Sequence, residues 1–239
     1  MTKSQNASAG TSEQNVLVID VGGTHVKALA TGHTNPVKFD SGAELTPQMM
    51  VDGVRSVIGE WTYDVVSVGF PAPVLHGQIM REPVNLATGW MNFDFETAFE
   101  RPVRVANDAL MQAIGSYSDG RMLFLGLGTG LGSALVDEGY PIALEIAHLP
   151  YKKRTYEEYL GIAAMKRSGH DKWEKHVHKI SEELCSALVC DYAVLGGGNS
   201  KLLKSLPPHA RLGDNANAFL GGFRMWTDNT RGNTKGNTA

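Results

Sequence analysis

Two glycine-rich turns, each closing an apolar run and each followed by another, constrain this chain more than any other feature. The first is Val16-Leu17-Val18-Ile19-Asp20-Val21-Gly22-Gly23-Thr24, with Val26 to Ala30 after it. The second is Leu123-Phe124-Leu125-Gly126-Leu127-Gly128-Thr129-Gly130-Leu131-Gly132-Ser133, followed by Ala134 to Val136. Apolar run, glycine turn, apolar run is the pattern of a β-hairpin. Glycines in such a bend expose backbone N–H groups and let a bulky anion approach the main chain. One such turn is weak; two at similar places in two halves point to a duplicated fold that grips one phosphorylated ligand from both sides.

The elements between the turns repeat as well. The N-terminal half reads as strands at 16–21, 25–31 and around 37–39, and a helix from Thr46 and Pro47 to about Trp61. A buried strand at 65–70, an irregular segment at 71–92, a short helix from Phe93 to Phe99 and a strand at 103–105 complete it. The second half gives a helix from Ala109 to about Tyr117, the glycine hairpin at 121–136, loops through 139–154, and helices at roughly 155–167 and 171–188. A strand at 192–195 ends in Gly196-Gly197-Gly198-Asn199, and a last helix runs from Asn215 to about Trp226. The expected organisation is a disordered arm over 1–15, an N-terminal α/β lobe over 16–106, a C-terminal α/β lobe over 107–226 and a disordered tail over 227–239. The class is α/β and two-lobed, with a cleft between the lobes.

Charge and composition exclude several functions. With 22 Lys and Arg against 25 Asp and Glu, the net charge of −3 leaves no general nucleic-acid footprint. No apolar run approaches the roughly 20 residues that span a bilayer, and the polar residues before Val16 lack the core of a signal peptide. Cys185 and Cys190, the only cysteines, stand five apart in an expected helix, neither a metal pair nor an obvious disulfide. They read as packed thiols of a cytoplasmic protein.

Two acidic positions stand out on chemistry alone. Asp20 ends an apolar strand, where a charge is expensive unless it meets a metal, a water or a donor. Asn107 and Asp108 end a strand and open a helix at the expected lobe junction. They serve either as a helix cap or as part of a reaction centre. Phosphoryl transfer to a hydroxyl needs a carboxylate that accepts the hydroxyl proton as attack proceeds.

In these motifs the chain resembles the ROK family of sugar kinases, within the actin-like ATPase superfamily, over about 16–226. The resemblance implies the two-lobed actin-like ATPase (ribonuclease H-like) fold, with a duplicated βββαβαβα plan and an inter-lobe cleft. Asp20 to Thr24 matches the first phosphate loop and Gly128-Thr129-Gly130-Leu131-Gly132 the second; Leu195 to Asn199 falls on the adenosine-side turn. Within the family the likeness is to small polyphosphate glucokinase-like members, on Arg154 to Gly161 and Arg211 to Ala216.

The resemblance assigns roles residue by residue. Gly22, Gly23, Thr24, Gly128, Thr129 and Gly130 would cradle phosphate, and Gly196, Gly197, Gly198 and Asn199 would meet a nucleotide. Asp20 would reach Mg²⁺ through water, and Asp108 would be the catalytic base with Asn107 beside it as a hydroxyl ligand. Asn85, in the stretch formed by Gly69 to Val74 and Pro83 to Leu86, would bind sugar. So would Glu145 and His148, from an E-x-G-H segment in which Ala147 replaces the glycine. Glu157 matches the last sugar carboxylate, with Glu158 as the next candidate. Many members follow this segment with a zinc-binding cysteine cluster; no cysteine is near it here, and no zinc is expected.

The implied activity is transfer of a phosphoryl group from polyphosphate, ATP or both to the 6-hydroxyl of glucose, with Mg²⁺. No nucleic-acid or membrane partner is implied, and a homodimer is compatible with the family. Two alternatives stay open: an ATP-dependent kinase for another hexose, such as mannose or an N-acetylhexosamine, and a non-catalytic sugar-binding member. The presence of both Asp20 and Asp108 argues against the latter. Basic stretches at Tyr151 to Arg154, Lys166-Arg167 and Lys172 to Lys179 form either a polyphosphate path or solvated faces.

Overall fold

The computed structural model describes residues 14–227. The disordered arm and tail expected from composition lie, except for Gln14, Asn15 and Thr227, outside the described residues. The first half comprises β1 (Val16–Val21), β2 (His25–Ala30), β3 (Val37–Asp40), α1 (Pro47–Ile58), β4 (Val65–Phe70), a small hairpin of β5 (Val74–Leu75) and β6 (Gln78–Ile79), α2 (Phe95–Phe99), β7 (Val103–Asn107) and α3 (Asp108–Ser116). The second comprises β8 (Arg121–Leu127), β9 (Leu131–Asp137), β10 (Tyr140–Leu144), a hairpin of β11 (Pro150–Tyr151) and β12 (Arg154–Thr155), α4 (Tyr156–Leu160), α5 (Ile162–Ser168), α6 (His170–Ala187), β13 (Tyr192–Gly196), β14 (Ala210–Leu212) and α7 (Asn217–Arg224).

Each half builds a five-stranded sheet, in the order β3-β2-β1-β4-β7 and β10-β9-β8-β13-β14. Both sheets are an antiparallel ribbon of three strands extended by two parallel ones. The duplication legible in the glycine turns is therefore a duplication of topology. Central strands follow from residue type. VVSVGF in β4 is buried throughout, as expected for a β-branched run covered on both faces. Helix α1 begins where Thr46 accepts from the Met49 N–H at 3.3 Å and Pro47 presets the first turn.

Beyond the short strands β5, β6, β11, β12 and β14, which the sequence pattern does not predict, other features depart from the expected elements. The loops expected through 139–154 contain β10, which pairs with β9 along its whole length; Pro141 is compatible with it because β10 is an edge strand. The helix expected over 155–167 is broken at Gly161, where a side chain would press on the Thr129 carbonyl. The pair Cys185 and Cys190, not legible as a contact from spacing, is brought together at the end of α6. The Cys190 N–H donates to the Cys185 carbonyl at 2.8 Å and the Val189 N–H to the Ser186 carbonyl at 3.2 Å, the two bonds of a Schellman turn. Both thiols are free, and burial pushes the Cys190 thiol up to about 12, with Cys185 beside it adding to the rise. Val189 occupies the left-handed position, φ 55°, that glycine usually takes.

The last helix, placed with the second lobe by its order in the chain, packs on the first sheet. Ala218, Phe219 and Met225 join Val16, Val18 and Val65 in one buried cluster, with Met111 and Ile114 from α3. The opposite side of α3, through Ala109 and Ala113, packs on the second sheet with Phe124, Ala134 and Val194. Helices α3 and α7 meet backbone to backbone: a Cβ at Gly115 would strike the Asn217 carbonyl, and one at Gly221 the Met111 carbonyl. Arg224 fastens the pair by donating to the Ile114, Gly115 and Tyr117 carbonyls at the end of α3, at 2.9, 3.1 and 3.0 Å. Among the described residues, no helix is long and apolar enough to cross a membrane.

Candidate active site

The two glycine turns open onto one cavity of about 570 Å³, with the start of α3 between them. Its lining includes Gly23 of the first turn, Gly128, Thr129 and Gly130 of the second, and Gly197 of the third. It also includes Asn85, Asn107, Asp108, Glu145, His148 and Glu157. These six residues thus border the same space, whereas Glu158, the other candidate carboxylate, does not.

Asp108 is the first residue of α3, and its Oδ1 accepts from the Ala109 N–H at 2.7 Å. Burial pushes its carboxyl up to about 7, assisted by the negative charges of Asp20 and Glu145 and opposed by that N–H bond. Asn107 caps α3: its Oδ1 accepts from Ala109 and Leu110 N–H at 2.9 and 3.3 Å, while its amide donates to the Ala72 carbonyl at 3.2 Å. The capping role is real and coexists with a place on the cavity wall. Through it, the irregular segment after β4 is tied to the helix that carries Asp108.

The first turn divides its labour. The Gly22 N–H donates to the His25 carbonyl at 3.0 Å and its carbonyl accepts from Ser41 Oγ at 2.5 Å. Gly22 therefore closes the hairpin. The N–H groups of Gly23 and Thr24 have no internal acceptor among the described residues. Asp20 stands behind the turn, off the cavity lining, with Lys27 Nζ 3.4 Å from its carboxylate. Burial raises its carboxyl, and Lys27 lowers it.

The second turn is braced. The Gly128 carbonyl accepts from the Ile162 N–H at 3.1 Å and from Asn199 Nδ2 at 2.7 Å. Glu157 Oε2 accepts from the Leu131 N–H at 3.2 Å and lies so close to Gly130 that a Cβ there would collide with it. At Gly128, in contrast, a Cβ would meet nothing within 4 Å, and its φ is not left-handed. Neither packing nor conformation requires that glycine; open cavity lies where its side chain would be. In the third turn, Gly196 packs under the Phe124 ring, Gly197 needs its φ of 79°, and Asn199 holds the second turn. Of Gly196, Gly197, Gly198 and Asn199, only Gly197 borders the cavity.

On the acceptor side, burial raises the Glu145 carboxyl, while Arg81 and His148 pull it down. Glu157 faces the cavity. Glu158 instead completes a capping box with Thr155 at 3.0 Å and pairs with Arg154 at 3.2 Å. Gln112, Arg81 and Glu82 line the cavity without having been named from the sequence. Gln112 follows Asp108 by four and shares its helix face, so helical spacing alone contained that signal. Arg81 lies in the irregular 71–92 segment, where no periodicity points a side chain anywhere. Several cations of the basic stretches are already engaged: Arg154 with Glu158, Arg167 with the Glu158 carbonyl, and Lys179 with Glu183 at 3.4 Å.

The donor set suits a hard divalent cation. The negative charge of Asp20 raises the Asp108 carboxyl, Lys27 pairs with Asp20 alone among the described residues, and oxygen ligands are what Mg²⁺ takes. Beside Gly128 the cavity is open, with no protein atom within 4 Å of where a Cβ would stand.

A family model described as the ROK family matches residues 16–143. Polyphosphate glucokinase of Mycobacterium tuberculosis (strain CDC 1551 / Oshkosh) is 25% identical over 213 residues, 80% of either chain. Among solved structures, the inorganic polyphosphate/ATP-glucomannokinase from Arthrobacter sp. strain KM superposes with a TM-score of 0.73 at 22% identity, covering 88% of this chain and 97% of that one. The ROK family glucokinase from Streptomyces griseus, in complex with glucose and AMPPNP, gives 0.67 at 15% identity, covering 88% and 98%. These likenesses bear out the two-lobed fold expected from the paired turns.

Proposed function

Because the chain belongs to the ROK family, we propose that it is a sugar kinase transferring a phosphoryl group from polyphosphate, ATP or both to the 6-hydroxyl of glucose. One observation carries the reading: Asp108 lies in the same cavity as both glycine turns and the whole set of polar acceptor-side residues. The similarity to a polyphosphate glucokinase and to a polyphosphate/ATP-glucomannokinase supports it.

Asn85, Asn107, Glu145, His148 and Glu157 hold the sugar, pairing carboxylate acceptors with amide and imidazole donors against its hydroxyls. Asp108 accepts the proton of the attacking hydroxyl; an alcohol is a poor nucleophile until that proton leaves. A carboxyl pushed up to about 7 is a stronger base than an ordinary aspartate and suits that task near neutral pH. Free N–H groups of Gly23 and Thr24 face the phosphate from one side and the turn 128–130 from the other, with the Thr24 and Thr129 hydroxyls adding donors. Asp20, with Asp108 beside it, would hold Mg²⁺, which neutralises phosphate charge when bound. Exclusion of water between the lobes keeps it from competing with the sugar. The same reading carries a cytoplasmic location and no nucleic-acid or membrane partner.

The test is a panel of hexoses, including mannose and N-acetylhexosamines, assayed with ATP and separately with polyphosphate for sugar-phosphate formation. Glucose 6-phosphate is expected with one donor or both. No product from any hexose with either donor refutes the assignment.

A further inference from the structure

We propose that Glu157 couples the two substrates, holding the second glycine turn in its donor-binding form through one carboxylate oxygen while the other takes the sugar. The inference deepens the sugar-kinase reading and rests on it for the identity of the ligands. Its geometry is a continuous chain of hydrogen bonds. Between Glu145 and His148, the Ala147 carbonyl accepts from the Glu157 N–H at 3.0 Å. The Glu157 side chain then accepts, through Oε2, from the Leu131 N–H at 3.2 Å. The acceptor-side wall and the phosphate turn are therefore joined through a single residue.

Two further contacts make this link specific. Gly130 lies against the Glu157 carboxylate, which fills the space that a side chain at that position would need. On its other flank the turn is fixed by Ile162 N–H and Asn199 Nδ2, both on the Gly128 carbonyl. Glu157 thus holds the adjustable side of a turn whose opposite side is pinned. Oε1 has no partner among the described residues, and Glu157 borders the cavity. A sugar hydroxyl donating to Oε1 fixes the carboxylate rotamer, and with it the Leu131 N–H and the turn 128–131. Glu157 acts on the phosphate through Leu131 and Gly130, so toward the donor it is a positioning residue.

Reciprocity follows, because a coupling free energy between two sites acts equally in both directions. A sugar lacking the reactive hydroxyl, 6-deoxyglucose, is expected to tighten binding of AMPPNP or of a short polyphosphate, and the donor to tighten the sugar by the same factor. Replacing the carboxylate by Glu157→Gln weakens the charge-assisted bond to Leu131, and about tenfold weaker donor binding is expected, with the enhancement by 6-deoxyglucose lost. Glu158→Gln, on the same helix but off the cavity and engaged with Thr155 and Arg154, is expected to leave both quantities at wild-type values.

The experiment measures donor affinity with and without 6-deoxyglucose in the wild type and both variants, alongside amide exchange at Leu131 in the unliganded proteins. Faster Leu131 exchange and loss of the enhancement in Glu157→Gln alone support the coupling. Weakened sugar binding with donor affinity and enhancement unchanged overturns it, as does equal disturbance by Glu158→Gln. If the wild type phosphorylates no hexose, the functional reading fails. The link itself is then judged on the exchange, and unchanged Leu131 exchange in Glu157→Gln overturns it.

Discussion

Asp108→Asn should make the protein inactive and more stable at the same time. Burial and two neighbouring carboxylates raise the Asp108 carboxyl from 3.8 to about 7, roughly three units. At about 1.4 kcal/mol per unit, the ionised side chain costs the fold up to about 4 kcal/mol. The edge of Asp108 facing the cavity is solvated, so about half that value is the better expectation. The sign is fixed by proton bookkeeping. Between pH 4 and 7 the folded chain holds a proton at Asp108 that the unfolded chain has released, so stability falls as pH rises through that window. Asparagine escapes the penalty, and its amide oxygen can still accept from the Ala109 N–H that now bonds Oδ1. Urea denaturation should therefore show little gain for Asp108→Asn near pH 4, a growing gain to pH 7, and a constant gain of about 2–4 kcal/mol above. Sugar binding should persist while turnover falls about 10²–10⁴-fold or more. A gain that does not vary with pH, a variant less stable than wild type at pH 8, or near-normal turnover would each refute the reasoning.

Three other outcomes follow from the site and the fold. Gly128→Ala places a methyl in open cavity and should change stability by no more than about 0.5 kcal/mol while weakening the donor severalfold; Gly130→Ala should lower both, because its methyl meets the Glu157 carboxylate. Equal stability losses in the two variants, by thermal denaturation, would contradict that distinction. The free-enzyme profile of kcat/KM for sugar should rise with pH and level off above about 7, as Asp108 ionises; a flat profile over the acid side argues against Asp108 as the base. Val189→Gly should stabilise the protein by about 1 kcal/mol, since a β-branched residue there sits at φ 55°, and a destabilised variant in the same denaturation assay would count against the strain.

The sequence made the hairpins at 16–30 and 121–136 legible because glycine punctuates β-branched runs there without ambiguity. It hid β10, whose half-exposed edge pattern is interrupted by Pro141, and β14, only three residues long. Amphipathic spacing announced α7 but not its sheet, since periodicity says which face is apolar and not what covers it. The same limit shaped the site. Asp108 and Asn107 were visible at a strand-to-helix boundary, whereas the bond between Glu157 and Leu131 spans 26 residues and leaves no trace in local pattern. Gly22 looked like part of the phosphate cradle, yet its N–H serves the turn; only the hydrogen-bond partners separate a glycine that closes a hairpin from one that receives a ligand.

The pairing of α7 with the first sheet has a consequence for how the chain is made. All five strands of that sheet are synthesised by Asn107, but the face carrying Val16, Val18 and Val65 is covered in part by residues 217–225. A ribosome adding about 5–20 residues per second leaves that apolar face open for several seconds after its strands have emerged. The N-terminal half therefore cannot finish folding as an independent unit during translation. Chains cut short before α7 should be clients of chaperones or aggregate, even though every strand of the first sheet is present in them.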